Sequence, residues 1–256
     1  MLRTSHLNGF WRGYQAGAAI TPGGGPAAGQ SPVVPTNAWT FDDPYAIGAD
    51  SIGNPSRPLT LNGSSGGWAW PSKRGISLSQ NVSTANGVVG VAGDPCSVTV
   101  WVLPSVSDDV DFIKLYSGSG EYIKVYSSQA TASTFSIFVD YWDGSFTTQY
   151  ELATSQPINA WYFVGIAFTG LIGAGGGAKA IKIAVNGTVT DFSGDIPDNG
   201  PDYMSFNSEA TGTGNMYRDE LYFWEGTALS ASNLKWIYNN GLGRYVGGDS
   251  DNPAWL

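Results

Sequence analysis

The chain has 256 residues and a formal net charge of −9, and only 13% of its residues are charged, about half the usual ~25%. Its 35 Gly, 10 Trp and 13 Tyr are typical of strands and turns, and its 42% hydrophobic residues exclude intrinsic disorder. An acidic chain without a basic stripe is not expected to bind nucleic acid. The single cysteine, Cys96, excludes an intrachain disulfide, and no apolar run approaches the ~18 residues of a membrane-spanning helix.

The first 36 residues differ from the rest because they are rich in Gly and Pro and contain no acid. We predict an extended arm over residues 1–36 and one folded domain over residues 37–256. The arm lacks the apolar core of a secretion signal. Its apolar side chains are expected to anchor it on a neighbouring subunit, the alternative being an unattached tail. These anchoring residues are Leu7, Phe10, Trp11 and Tyr14.

The remaining sequence consists of short runs of β-branched and aromatic residues, separated by Gly, Asp, Asn and Ser, which is typical of strands. The predicted strands are 96–103, 112–116, 122–126, 134–142, 146–150, 161–169, 180–186 and 220–224. Asp143 with Gly144, and Asn186 with Gly187, predict tight hairpin turns because such turns require positive φ. Many antiparallel strands without a strand–helix–strand rhythm predict an all-β fold, a two-sheet sandwich or jelly roll.

A short helix is predicted near the C-terminus. Ser230 is a suitable N-cap, and Leu229 and Leu234 have the spacing of a hydrophobic staple across it. Gly241 is a suitable terminator. We expect this helix to cover one open end or edge of the sandwich.

Several segments follow one another in a recognisable order. They are AWTFDDPYAIGADSIGNPSRPLTLNG (38–63), SVTVWV (97–102), the run 161–169 and RDELYFWEGTALSASNLKWIYNNG (218–241). In this order they resemble the laminin-G-like, or concanavalin-A-like, jelly-roll family over about residues 37–246. The resemblance implies an antiparallel two-sheet sandwich with a short C-terminal helix, a scaffold that hosts lectins, glycosidases, adhesins and structural modules.

Residues for catalysis are missing from the sequence. Glycosidases of the resembling fold carry an E-x-D-x-x-E strand, whereas here Asp109 and Asp111 are followed by Lys114 at the third carboxylate position. The only histidine, His6, lies in the arm, so a Ser-His-Asp triad in the body is excluded. We therefore expect a protein that is not an enzyme.

A structural Ca²⁺ is the one cofactor for which the sequence offers candidates. Asp219 matches the aspartate of the family's closing strand, and Asp42 follows the opening strand. In similar domains these positions share one ion, which takes carboxylate and carbonyl oxygens. The alternative is that both aspartates cap strand ends and no metal binds.

A carbohydrate site is predicted on the strand 134–142 and its neighbour. The core-facing side of this strand consists of Phe135, Ile137, Val139 and Tyr141. Asp140 and Trp142 then point to the opposite side, where Tyr122, Lys124 and Tyr126 line the same sheet. An aromatic ring beside fixed polar groups suits a sugar, because the sugar packs its C–H face on the ring and hydrogen bonds through its hydroxyls. The alternative is an aromatic core or a subunit interface.

Two functions fit these expectations. The first is a non-enzymatic structural protein on the outer surface of a bacteriophage virion, since the opening MLRTSHLNGF and the Gly-rich stretch after it resemble phage capsid- or tail-decorating proteins. Its arm would join capsid or tail subunits, its domain would meet host glycans, and it would form a homo-oligomer if it stacks like other jelly rolls. The alternative is a freestanding bacterial carbohydrate-binding protein or glycoside hydrolase.

Overall fold

The computed structural model describes residues 34–39, 59–61, 65–68, 76–78, 82–84, 94–105, 109–116, 122–142, 147–169, 180–193, 203–206 and 216–238. The strands are β1 Asn37–Trp39, β2 Leu59–Leu61, β3 Ser65–Trp68, β4 Ile76–Leu78, β5 Val82–Thr84, β6 Cys96–Pro104, β7 Val110–Tyr116, β8 Tyr122–Thr131, β9 Thr134–Trp142, β10 Thr147–Pro157, β11 Tyr162–Phe168, β12 Ala180–Val185, β13 Thr188–Ser193, β14 Tyr203–Phe206 and β15 Met216–Glu225. One helix, α1, spans Ala231–Tyr238. Within these ranges no helix is long and apolar enough to cross a membrane.

The strands form two antiparallel sheets. The eight-stranded sheet has the order β13-β12-β11-β6-β15-β4-β3, with β1 also paired to β15, and the seven-stranded sheet has the order β10-β9-β8-β7-β14-β5-β2. Neighbours such as β6 and β15 are far apart in sequence, as in a jelly roll. The main core lies between the sheets and includes residues from both, such as Val98, Val100 and Phe168 of one and Phe112, Val125 and Ile137 of the other. The predicted all-β jelly-roll sandwich with a short C-terminal helix is confirmed, while residues 1–33 of the arm lie outside the described residues.

A β-bulge in β7 changes which residues face outward. The pairing with β8 shifts between Asp111 and Ile113, and both Phe112 and Ile113 are buried in the main core. A bulge places two residues opposite one and shifts the alternation of the strand. Asp111 and Lys114, three positions apart, therefore lie on the same outer face of the seven-stranded sheet.

A second bulge lies in β15, between Asp219 and Tyr222, where Glu220 has a φ of 51°. Arg218, the residue before Asp219, is fully buried. Its Nη2 donates to the backbone carbonyl of Asp111 at 3.1 Å. One guanidinium thus joins the bulge of one sheet to the bulge of the other.

The helix begins as predicted and lies on the outer face of one sheet. The Ser230 hydroxyl accepts the backbone N–H of Asn233 at 3.1 Å, which confirms the N-cap, and Leu229 and Leu234 are both buried. We predicted that α1 covers an open end or edge of the sandwich. It packs on the outer face of the eight-stranded sheet, mainly against the edge strand β13 and its neighbour β12. That face is apolar and must be covered. Its buried residues include Trp101, Phe163, Ala184, Tyr222 and Trp224.

The β12–β13 turn supports the C-terminal end of α1. Asn186 and Gly187 have φ of 47° and 78°, which confirms the predicted hairpin turn. The Tyr238 ring packs directly on Gly187, since a Cβ there would lie 2.5 Å from its Cδ1. Only glycine suits this position, for reasons of both space and φ.

We expect Gly187→Ala to lower the free energy of unfolding by about 2–4 kcal/mol, because left-handed backbone strain adds to the steric clash with Tyr238. Gly226→Ala is the matched control, since Gly226 has a φ of 68° but no atom within 4 Å of the added Cβ. It should cost only about 1 kcal/mol. Denaturant unfolding measures both. If both variants lose the same free energy of unfolding, the contact between α1 and the turn is contradicted.

Candidate functional site

The outer face of the seven-stranded sheet, over β7 to β10, brings the predicted sugar-binding residues together. We call it the polar face. Its residues are Asp111, Lys114, Tyr122, Lys124, Tyr126, Phe138, Asp140, Trp142 and Gln149. The expected alternation of β9 is confirmed, because Phe135, Ile137, Val139 and Tyr141 belong to the core.

Strand register sets the positions of these side chains. Three directly opposed pairs from β8 and β9 form the centre of the polar face: Tyr122 with Trp142, Lys124 with Asp140, and Tyr126 with Phe138. On β10, Gln149 lies opposite Asp140, and on β7, Asp111 lies opposite Tyr126. Because paired residues share one side of a sheet, all of these groups project from the same surface.

Two carboxylates share one ammonium at this centre. Lys124 Nζ lies 3.9 Å from Asp111 Oδ1 and 3.8 Å from Asp140 Oδ2. The side chains of Lys124, Asp111 and Asp140 are only 13%, 4% and 10% exposed. In such a partly desolvated place an ion pair is screened less than on an open surface. The three groups therefore hold one another in fixed positions.

A hydrogen-bond network extends from this cluster. The Tyr126 hydroxyl donates to Asp140 Oδ1 at 3.3 Å and accepts from Gln149 Nε2. Burial, reinforced by the negative charge of Asp140, raises the pKa of Tyr126 to about 12. Burial also raises the pKa of Asp140, against the opposing effect of Lys124. The network thus presents a phenolic O–H, an amide and a carboxylate on one surface.

Lysine side chains lie over the rings of Tyr122 and Tyr126. Lys114 Nζ lies 4.6 Å from the Tyr122 ring centroid, and Lys124 Nζ lies 4.5 Å from that of Tyr126. Tyr126 also stacks on Phe138, with centroids 5.7 Å apart. Long side chains cover a ring readily when both project from one face, and cation–π attraction favours the contact.

Trp142 supplies a third aromatic ring to the polar face. It is half-buried at the end of β9, beside Tyr122 on β8. Among the described residues no other ring or ammonium group is placed against its indole.

Five residues of the polar face were predicted from the sequence: Asp140, Trp142, Tyr122, Lys124 and Tyr126.

Sequence reasoning missed three contributors to the polar face. Gln149 lies beyond the predicted hairpin turn, and Asp111 was considered only as part of a failed catalytic motif. Lys114 was considered only as the residue that breaks that motif. The local sequence does not show that Asp111 and Lys114 share a face, because they do so only through the bulge between them.

The other predicted sites remain predictions. Asp219 is buried, and its Oδ1 accepts the backbone N–H of Glu220 at 3.0 Å. Its proposed calcium partner, Asp42, lies outside the described residues, as do the four anchoring residues of the arm. Within the described ranges, no three His, Cys, Asp or Glu side chains form a group that would hold a metal.

The sequence matches no protein-family model and no curated protein sequence, but the fold is similar to solved structures. Domain 4 of AbnA, a GH43 extracellular arabinanase from Geobacillus stearothermophilus in complex with arabinotriose, has a TM-score of 0.55 and 18% identity, covering 79% of this chain and 97% of that one. The binding domain of botulinum neurotoxin DC in complex with SialylT has a TM-score of 0.53 and 14% identity, covering 78% of this chain and 51% of that one. At these identities the comparisons establish the sandwich fold.

We expect Lys124→Met to raise the pKa of Asp140 further, because the main effect that lowers it would be removed. Because the pKa of Asp140 is raised in the folded state, its ionisation is less favourable there than in the unfolded chain. The folded state is therefore most stable below pH 3.8, the ordinary pKa of this group, and loses stability as the pH rises towards the folded-state pKa. The variant should lose stability over a window that extends to higher pH. Carboxyl NMR titration and unfolding against pH measure this. Lys182→Met, which breaks the exposed pair with Asp191, is the control that should leave the Asp140 titration unchanged.

Replacement of Arg218 by Met should destabilise the sandwich by about 3 kcal/mol, because Asp111 loses a buried donor and a nearby positive charge. Arg218→Lys keeps a charge and should lose less. Lys235→Met, on the exposed side of α1, controls for loss of one cation. Denaturant unfolding compares the three, and a Met variant as stable as the parent would contradict the inter-sheet link.

Proposed function

We propose that the polar face binds a carbohydrate and that the protein holds this ligand without cleaving it. The observation that carries the proposal is the fixed Tyr126–Asp140–Gln149 hydrogen-bond network on the same surface as the Trp142 indole. A sugar needs both features, since its hydroxyls require placed donors and acceptors while its C–H groups pack on a ring.

Preorganisation supports this proposal. Tyr126, Asp140 and Gln149 stand on three adjacent paired strands, and their side chains bond to one another before any ligand arrives. Binding therefore has less side-chain entropy to remove than it would on a loop. The arabinanase domain, with its bound arabinotriose, is an example of a sugar complex on the same fold in another protein.

The position of Lys124 favours binding over hydrolysis. A glycosidase uses one carboxyl group as acid and another as base or nucleophile, ~5–9.5 Å apart. Asp111 and Asp140 are candidates by proximity, but the same ammonium lies within 3.9 Å of both. This ammonium is an ion-pair partner of both carboxyl groups, so a substrate oxygen would have to compete with Lys124 to reach either of them.

The setting in which the domain works is a further part of the proposal. The Gly- and Pro-rich arm over residues 1–36 supports attachment to a larger assembly such as a phage particle, with the polar face displayed outward. A freestanding carbohydrate-binding protein is the alternative. Deletion of residues 1–36 distinguishes the two alternatives. An assembly protein should no longer be incorporated into its particle, whereas a freestanding lectin should still bind its glycan.

We expect Trp142→Ala and Tyr126→Phe each to weaken glycan binding at least tenfold, about 1.4 kcal/mol. The first removes the ring and the second removes the hydroxyl that links Asp140 to Gln149. A glycan array identifies a ligand, and titration calorimetry measures each variant. The control is Tyr150→Leu, since Tyr150 is exposed but packs against Phe192 away from the polar face.

Two results would count against the proposal. If no glycan binds, or if Trp142→Ala binds as tightly as the parent, the polar face is not the site. If new reducing ends appear when the bound oligosaccharide is incubated with the protein, the protein cleaves its ligand. That result would contradict the proposal that it only binds, but not the location of the site.

A further inference from the structure

We infer that the polar face selects neutral oligosaccharides over acidic ones, such as those carrying uronic or sialic acid. The inference rests on the proposed function of this face and names the class of its ligand. It depends on how the charges of the face are already paired.

Both lysines of the polar face are engaged by the protein itself. Lys124 contacts Asp111 and Asp140, at 3.9 and 3.8 Å, and its ammonium also lies over the Tyr126 ring. Lys114 lies over the Tyr122 ring at 4.6 Å. An acidic sugar would have to break one of these contacts to gain an ion pair, so much of its Coulombic gain would be cancelled.

Among the described residues of this surface and its margins, carboxylates outnumber ammonium groups. Glu151 lies opposite Phe138 in the β9–β10 pairing, so it projects from the same side, and it is exposed. Asp109, at the start of β7, is also exposed, and its Oδ1 accepts the backbone N–H of Gln129. Together with Asp111 and Asp140, these groups outnumber Lys114 and Lys124 by two charges. A ligand carboxylate would meet repulsion here at low ionic strength.

A neutral sugar meets no such penalty. Its hydroxyls can donate to the exposed carboxylate of Glu151 and accept from the exposed Gln149 amide, and neither contact requires an ion pair to open. Hydrogen bonds to a charged acceptor are stronger than those between neutral groups. The same carboxylates that repel an acid therefore serve as acceptors for a polyol.

The test uses matched pairs of oligosaccharides that differ only in charge, a neutral chain and its uronic or sialylated counterpart. On the full chain at low salt, we expect the neutral member to bind at least tenfold more tightly. Added salt should narrow this ratio while leaving the neutral affinity unchanged, because salt screens only the repulsion.

A charge-reversal variant localises the effect. Glu151→Lys should narrow the neutral-to-acidic ratio severalfold. Asp191→Lys changes the net charge equally but lies on β13 of the other sheet, where Asp191 pairs with Lys182, and should leave the ratio unchanged. Tighter binding of the acidic members by the parent would overturn this inference and leave the proposed function intact. Failure of every neutral and acidic glycan to bind would overturn the proposed function and this inference with it.

Discussion

The contact between Arg218 and Asp111 is the interaction on which the rest of this structure depends. A guanidinium buried between two sheets loses its hydration, and this burial lowers the pKa of Arg218 to about 9 while Asp111 opposes the shift. The hydrogen bond to the Asp111 carbonyl offsets part of the cost. Because it joins the bulges of β15 and β7, the contact fixes where the alternation of each strand shifts. It thereby determines which side chains of β7 reach the polar face.

From that contact, charge alternates from the core to the surface. Arg218 is fully buried and Asp111 is nearly so. Asp111 pairs with Lys124, Lys124 pairs with Asp140, and Asp140 accepts a hydrogen bond from the half-buried Tyr126. Each group lies beside one of opposite charge or a hydrogen-bond partner. Breaking one member leaves a neighbour with an uncompensated charge, which is costly in a desolvated place. The outer hydroxyl is thus held in place through a series of contacts that begins inside the core.

The sequence predicts what depends on regular periodicity and misses what depends on irregularity. Alternation along β9 is enough to place Asp140 and Trp142 outward, and Ser230 with its staple is enough to begin α1. The β7 bulge has no local signal, because it is stabilised by Arg218 from a strand more than one hundred residues away. The same holds for α1, whose packing surface is assembled from strands distant in sequence. The polar strand β13 was missed because it lacks a strong hydrophobic alternation.

The two outer faces of the sandwich differ in chemistry, which is why the proposed ligand site belongs to one sheet. On the eight-stranded sheet the outward residues are large and apolar, and α1 covers them, with Leu234 only 3.0 Å from a Cβ that would stand on Gly165. On the seven-stranded sheet, the outward residues of β7 to β10 are polar or aromatic, and most of them are half-buried or exposed. Apolar surface gains from a permanent cover, whereas fixed charges and hydroxyls gain from a partner that hydrogen bonds. Residue chemistry therefore accounts for the place of α1 on the first sheet and supports the proposed polyol ligand on the second.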